Sequence, residues 1–137
     1  MTSIRVHSRP DEIIRQAVGK MDQILASYPF TDARIRNAAV LFVDRYRNSH
    51  ANSLGHTVGM EVHDVRNPTE TLEPGQIFTI EPQMTIPEEH LGIRLEDMIL
   101  ITESGYENLS GFIPIEIADI EKVMSARHGL SDAFDRR

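Results

Sequence analysis

An α+β domain is the fold class this sequence predicts, on three observations. Apolar residues recur at helical spacing over the first third of the chain. Pro68, Pro74, Pro82 and Pro87 forbid a long helix in the middle, and the second half is rich in short runs of isoleucine, leucine, phenylalanine and threonine. Helices followed by several strands is the order of an α+β domain.

The elements follow from local chemistry. Pro10, Asp11 and Glu12 form a helix start, with proline in the first turn and acids against the positive end of the dipole. Ile13, Ile14, Ala17, Val18, Met21, Ile24 and Leu25 then mark a buried stripe, and the helix ends before Pro29. Thr31 is the expected cap of a second helix whose stripe is Ile35, Ala38, Ala39, Phe42, Val43 and Tyr46, fraying near Asn48 or Ser49. Gly55 and Gly59 bracket a predicted turn at His56-Thr57-Val58. Gln76 to Glu81 and Ile93 to Thr102 read as strands, Ser104-Gly105 as a hairpin turn into Tyr106 to Leu109, and Asp119 to Met124 as a short helical segment. The stretch from Ser125 to Arg137 is a polar tail, loosely held.

Composition bounds the function. At 137 residues with 40% hydrophobic and 26% charged, the chain fits one globular domain with a real core, burying roughly 68% of its unfolded surface. Twenty-one acidic against fourteen basic residues give a net charge of −7, which repels a phosphate backbone, and no basic patch offsets it. Nucleic acid is therefore not an expected partner. The absence of cysteine removes disulfides, thiolate metal sites and cysteine nucleophiles together, leaving nitrogen and oxygen ligands for any metal. Met1 to Pro10 has no apolar stretch of secretory length, and the longest apolar run, Ala38 to Val43, is too short to span a bilayer. No membrane association and a cytoplasmic location are the expectations.

The strands break their own rule at the acids. In Ile77 to Glu81 and in Ile93 to Ile99, carboxylates interrupt runs that otherwise read as buried. Alternation puts Arg94, Glu96 and Met98 on one face and Ile93, Leu95, Asp97 and Ile99 on the other. A carboxylate inside a sheet costs several kcal/mol unless it is protonated, paired or metal-bound. An ion pair with Arg94 accounts for Glu96 alone. His56, among small neighbours, reads equally as a loop histidine bonded to a carbonyl, and His63 has Asp64 beside it to orient its ring or to start a turn. Together, one imidazole and two mid-strand carboxylates are the partial shell of a divalent-metal site. The rivals lack their signatures: there is no His-Glu-x-x-His helix, phosphate-cradling glycine loop or Gly-x-Ser-x-Gly turn, and Ser53 near His56 has no oxyanion partner.

Three ordered blocks carry a resemblance. Ser53-Leu54-Gly55-His56-Thr57-Val58-Gly59-Met60-Glu61-Val62-His63-Asp64 resembles the histidine motif of the Xaa-Pro aminopeptidase and prolidase group of pita-bread metallopeptidases, the M24 family. Leu72-Glu73-Pro74-Gly75 with Phe78-Thr79-Ile80-Glu81-Pro82 is similar to its first glutamate motif, and Gly92-Ile93-Arg94-Leu95-Glu96-Asp97 with Ile101-Thr102 to its second. The likeness runs from about Pro10 to Met124. It implies that residues 1–124 form the carboxy-terminal half of the pita-bread catalytic domain, two helices followed by a curved, mainly antiparallel sheet, with residues 125–137 as the tail. It further implies hydrolysis of the peptide bond preceding proline at a peptide amino terminus, by two divalent metal ions, manganese as first choice and cobalt, iron or zinc as alternatives. In that scheme His56, Glu81 and Glu96 ligate metal, Glu81 is also the general base, Glu96 bridges both ions, His63 contacts substrate or steadies the tetrahedral intermediate, and Arg94 supports the site from behind the ligands.

The chain also departs from the family pattern. Two aspartate ligands come from a strand pair upstream of the histidine in the family, whereas Asp11, Asp22, Asp32 and Asp44 here sit in helical patterns. Asn52 stands where the family tends to carry a histidine, with His50 as a conceivable substitute, and Gln83 stands where a glycine usually follows Glu-Pro. The leading expectation is therefore a partial catalytic domain, cut from a longer chain or started internally, inactive alone and prone to self-association or to pairing with a missing amino-terminal half. The alternatives are a non-catalytic peptide- or protein-binding module of the same fold, and a two-chain enzyme whose partner supplies the aspartates.

Overall fold

A computed structural model describes residues 4–48, 55–61, 63–64 and 71–125. His50, Asn52, Ser53, Pro68 and the tail beyond Ser125 lie outside the described residues. Two helices come first, α1 (Pro10–Ser27) and α2 (Ala33–Arg47). Five strands follow: β1 (Ile77–Ile80), β2 (Gln83–Ile86), β3 (Leu91–Arg94), β4 (Asp97–Thr102) and β5 (Gly105–Asn108), with a 3₁₀ turn at Pro87–Glu89 and a last helix, α3 (Ile117–Ser125). The class is α+β, as the order of patterns predicts.

Helix α1 opens on Pro10, whose missing N–H falls where no helical partner exists, and Asp11 and Glu12 occupy its first turn. Its seam against α2 is Ile14, Val18, Met21 and Leu25 meeting Val43, Phe42 and Tyr46. Ile24 departs from the expected stripe at 59% exposed. It continues the row of Ile13, which is buried against the sheet, but lies about 16 Å further along the axis at 1.5 Å per residue. The cap of α2 is Asp32 rather than Thr31: the Asp32 carboxylate accepts the Arg34 amide at 2.8 Å. The helix ends at Asn48, as expected.

The strands form one long antiparallel ribbon with a break in it. Ile77 pairs with Leu100 and Ile80 with Asp97; beyond the break Gln83 pairs with Arg94 and Ile86 with Leu91. Both ladders keep one register, so Glu81 faces Glu96 across the interruption. Pro82 explains the break, since it has no N–H to give to a ladder, although its carbonyl still accepts the Leu95 amide at 3.3 Å. The expected single strand from Ile93 to Thr102 is thus two strands in two sheets, of order β1-β4-β5 and β2-β3. Strand β2 and the 3₁₀ turn lie in a proline-flanked stretch where sequence reading places no strand.

One ribbon face is the core. Phe78, Ile99 and Ile101 join Ile4, Ile13 and Leu72, with Ile99 and Ile101 almost wholly enclosed. Leu72 lies in the segment resembling the family's first glutamate block, and its neighbours there are structural. Glu73 accepts the Thr71 hydroxyl and contacts His7, which together hold its carboxyl below the usual range, and Gly75 turns at φ +87° into β1. No helix among the described residues is long and apolar enough to cross a membrane.

Candidate metal centre

The face opposite the core carries the polar residues. Thr79, Glu81 and Gln83 alternate along one side of the ribbon, with Met98, Glu96 and Arg94 as their cross-strand counterparts. Residues 56–58 lie along the free edge of β1. The Thr79 amide donates to the His56 carbonyl at 2.8 Å, the Val58 amide donates to the Ile77 carbonyl at 3.0 Å, and Thr57 bridges to Phe78. This segment is extended rather than the predicted turn; the chain reverses after it, over Gly59 to Glu61, and returns so that the Thr57 hydroxyl donates to the Asp64 carbonyl at 2.7 Å. Gly55 makes the approach possible. Its φ is +155°, and a Cβ there would collide with the Thr79 carbonyl.

This backbone brings the three sequence-predicted ligands together. One ligand atom each from His56, Glu81 and Glu96 lies within 4.8 Å of the others. His56 Nδ1 is 3.0 Å from the Thr57 carbonyl. A carbonyl only accepts, so Nδ1 carries a proton, and in the neutral ring the lone pair is on Nε2, which lies 3.6 Å from Glu81 Oε1. The reading of His56 as a histidine bonded to a carbonyl holds, and that bond leaves Nε2 as the nitrogen that could meet a metal. Ligands about 2.0 to 2.2 Å from one ion lie roughly 3 to 4.5 Å from each other, so the trio, gathered within 4.8 Å, is near the spacing that a divalent cation needs. Nitrogen and carboxylate donors without sulfur suit manganese, cobalt, iron or zinc alike.

Three neighbours shape the site. Arg94 sets one guanidinium nitrogen 3.2 Å from Glu81 Oε2 and the other 3.5 Å from Glu96 Oε2, so the ion pair expected for Glu96 is shared with Glu81. The His63 ring stands edge-on to His56, centroids 4.8 Å apart. Among the described residues the Asp64 carboxylate does not orient it; that carboxylate packs where a Gly59 side chain would sit. Thr79, 3% exposed, accepts the His56 amide on its hydroxyl at 3.0 Å and donates to Glu81 Oε1 at 3.0 Å. Sequence reading missed Thr79 as a site residue, although a hydroxyl two positions before Glu81 in a buried strand is its signal. Tyr46 was also read only as core. Burial pushes its phenol up, Arg45 and a hydrogen bond from the Gln83 backbone oppose that, and the nearby Glu81 charge adds to it, so α2 ends against the carboxylate strand.

The upstream aspartates are engaged elsewhere. Asp11 pairs with Arg9 and Arg15, Asp22 and Asp44 with Arg47, and Asp32 caps α2. Among the described residues, His56, Glu81 and Glu96 are the one group of three or more potential ligands that converges.

Comparison with known proteins gives the family. The model of metallopeptidase family M24 matches residues 7–103, and the chain belongs to that family. It is 32% identical to the Xaa-Pro aminopeptidase of Escherichia coli K12 over 139 residues, covering 91% of this chain and 31% of the relative. It is 41% identical to the mitochondrial intermediate cleaving peptidase 55 of Arabidopsis thaliana over 90 residues, covering 58% of this chain and 18% of the relative. Among solved structures it matches proline aminopeptidase P II from Yersinia pestis with a TM-score of 0.62 and 29% identity, over 88% of this chain and 30% of that one. The chain thus spans less than a third of the length of these relatives, and its α+β architecture is that of part of their pita-bread domain.

Proposed function

We propose that this chain supplies the histidine and glutamate side of a dinuclear metallopeptidase centre that hydrolyses the bond preceding proline at a peptide amino terminus. The observation that carries the reading is the convergence of His56, Glu81 and Glu96 within 4.8 Å in a member of a metallopeptidase family. His56 would bind through Nε2 and Glu81 and Glu96 through their carboxylates, with Glu96 shared between two ions, manganese as first choice. A bound divalent cation supplies Lewis acidity, polarising the peptide carbonyl and acidifying water. Glu81 is the general base and takes the proton of the attacking water on its carboxylate, which the Thr79 hydroxyl holds in orientation. His63, exposed and braced against His56, reaches toward the substrate carbonyl. Arg94 keeps the two carboxylates side by side. A non-catalytic binding module has no use for carboxylates gathered against their own repulsion, which places the hydrolase first.

Residues 1–124 correspond in this proposal to the carboxy-terminal half of the catalytic domain and 125–137 to a tail. The remaining two aspartates come from a segment outside this chain, in a longer polypeptide or a partner. The cytoplasmic location expected from the sequence belongs to the same proposal, beside a relative named as mitochondrial. Calorimetric titration of the chain with Mn²⁺ tests it. Weak binding that disappears in His56→Ala and Glu81→Gln, with no cleavage of Xaa-Pro peptides by the chain alone, is the expected result. Two tight sites per chain, or binding indifferent to both substitutions, would contradict it.

A further inference from the structure

The guanidinium of Arg94 lies against both carboxylates of the candidate metal centre. Register dictates this: Glu81 and Glu96 face each other across the ribbon break, and Arg94 is diagonal to Glu81 and two residues before Glu96 on the same face. Two carboxylates held this close repel each other, and the chain's own remedy is one cation with a nitrogen on each: 3.2 Å to Glu81 Oε2 and 3.5 Å to Glu96 Oε2. With His56 neutral, the cluster without Arg94 carries −2 and with it −1. The arginine side chain is 52% exposed, so it has a route out to water that the half-buried Glu81 does not.

We infer that Arg94 is a built-in counter-cation of the Glu81 and Glu96 carboxylate pair, which a metal must displace or push aside in order to bind. The inference rests on the proposed metal site and adds a gate to it. Arg94 then does two opposed things: it keeps Glu81 and Glu96 gathered before metal arrives, and it weakens the metal's binding by competing for the charge of the same two carboxylates. Coulomb repulsion between a divalent ion and an exposed guanidinium at contact range in water is enough to change affinity by about tenfold, and the effect is screened by salt.

The test is a Zn²⁺ titration of the whole chain as it exists, with Arg94→Gln, Arg94→Lys and Glu81→Gln beside it, followed by calorimetry and by NMR of the arginine side-chain Nε–Hε signals. Arg94→Gln should bind Zn²⁺ about tenfold more tightly at low ionic strength, with the gain shrinking as salt is added, while Arg94→Lys, which keeps the charge, stays near the unsubstituted chain. In the unsubstituted chain the Arg94 Nε–Hε signal, assigned by through-bond correlation to the Arg94 backbone, should shift on saturation. That readout stands even if a substituted chain does not fold. Unchanged or weaker affinity in Arg94→Gln, or an Arg94 signal indifferent to Zn²⁺, overturns the gate while leaving the metal site in place. Binding that survives Glu81→Gln undiminished overturns the metal site and the gate together.

Discussion

The hydroxyl of Thr79 holds both sides of the candidate site. It accepts the His56 amide and donates to Glu81 Oε1, from a position 3% exposed. Valine at this position keeps the shape but leaves a part-buried N–H without its acceptor and the carboxylate without its orienting donor. Thr79→Val should therefore cost about 1 to 3 kcal/mol in urea unfolding and also weaken Mn²⁺ binding, whereas Thr79→Ser should restore most of the binding. A valine variant as stable as the parent, with unaltered metal affinity, would remove Thr79 from the site. The candidate ligands Glu81 and Glu96 were legible in the sequence because acids in apolar strands are anomalous, and the ribbon brings these two face to face. Thr79 was less legible because threonine is an ordinary strand residue, and only its two hydrogen bonds set it apart.

At the level of elements, the caps and breaks decide where side chains point. Asp32 closes the amino end of α2, and the Arg34 side chain and amide hold its carboxyl down at about 2 from an ordinary value of 3.8. A lowered carboxyl contributes stability that is present above the unfolded value and is lost as pH falls through the folded one. The cap should thus persist at pH 4, weaken below it and be lost near pH 2, and the Arg34 amide resonance should titrate with that low midpoint. Asp32→Asn should keep the cap and abolish the titration; a midpoint near 4 in the parent chain would show that the pairing with Arg34 is ineffective in solution. The ribbon break was the feature least legible from sequence. Ile93 to Thr102 reads as one strand because apolar residues run through it with no proline or glycine to interrupt them, and the cause of the break, Pro82, lies on the opposite strand.

For the molecule as a whole, apolar surface remains uncovered. Phe112 is 85% exposed, Ile117 75%, Val123 61% and Met124 80%, so α3 and the segment before it present apolar side chains to water. Patches of this kind are the usual sites of association. The isolated chain should self-associate with rising concentration in sedimentation velocity, and Phe112→Ser with Met124→Ser should shift the distribution toward monomer. A chain that stays monomeric at all concentrations, without binding a hydrophobic dye, would show that this surface is tolerated in water. The helix pair tells the same story in miniature: Ile24 and Ile35, expected in buried stripes, stand 59% and 43% exposed. Periodicity identifies which side of a helix is apolar, but not how far a neighbour extends to cover it.

By itself the sequence determined the class of fold, the extents of α1 and α2 to within a residue or two, the candidate site residues and the family they resemble. Each of these depends on contacts between residues near in the chain or on anomalies of composition within a strand. Tertiary structure alone decided that Glu81 faces Glu96 across a proline break, that Arg94 divides itself between them, and that the backbone at Gly55 comes close enough to Thr79 to bring His56 in. Those are distances between segments about twenty residues apart, and only the pairing of the strands, set by burial of Phe78, Ile99 and Ile101 on the other face, fixes them.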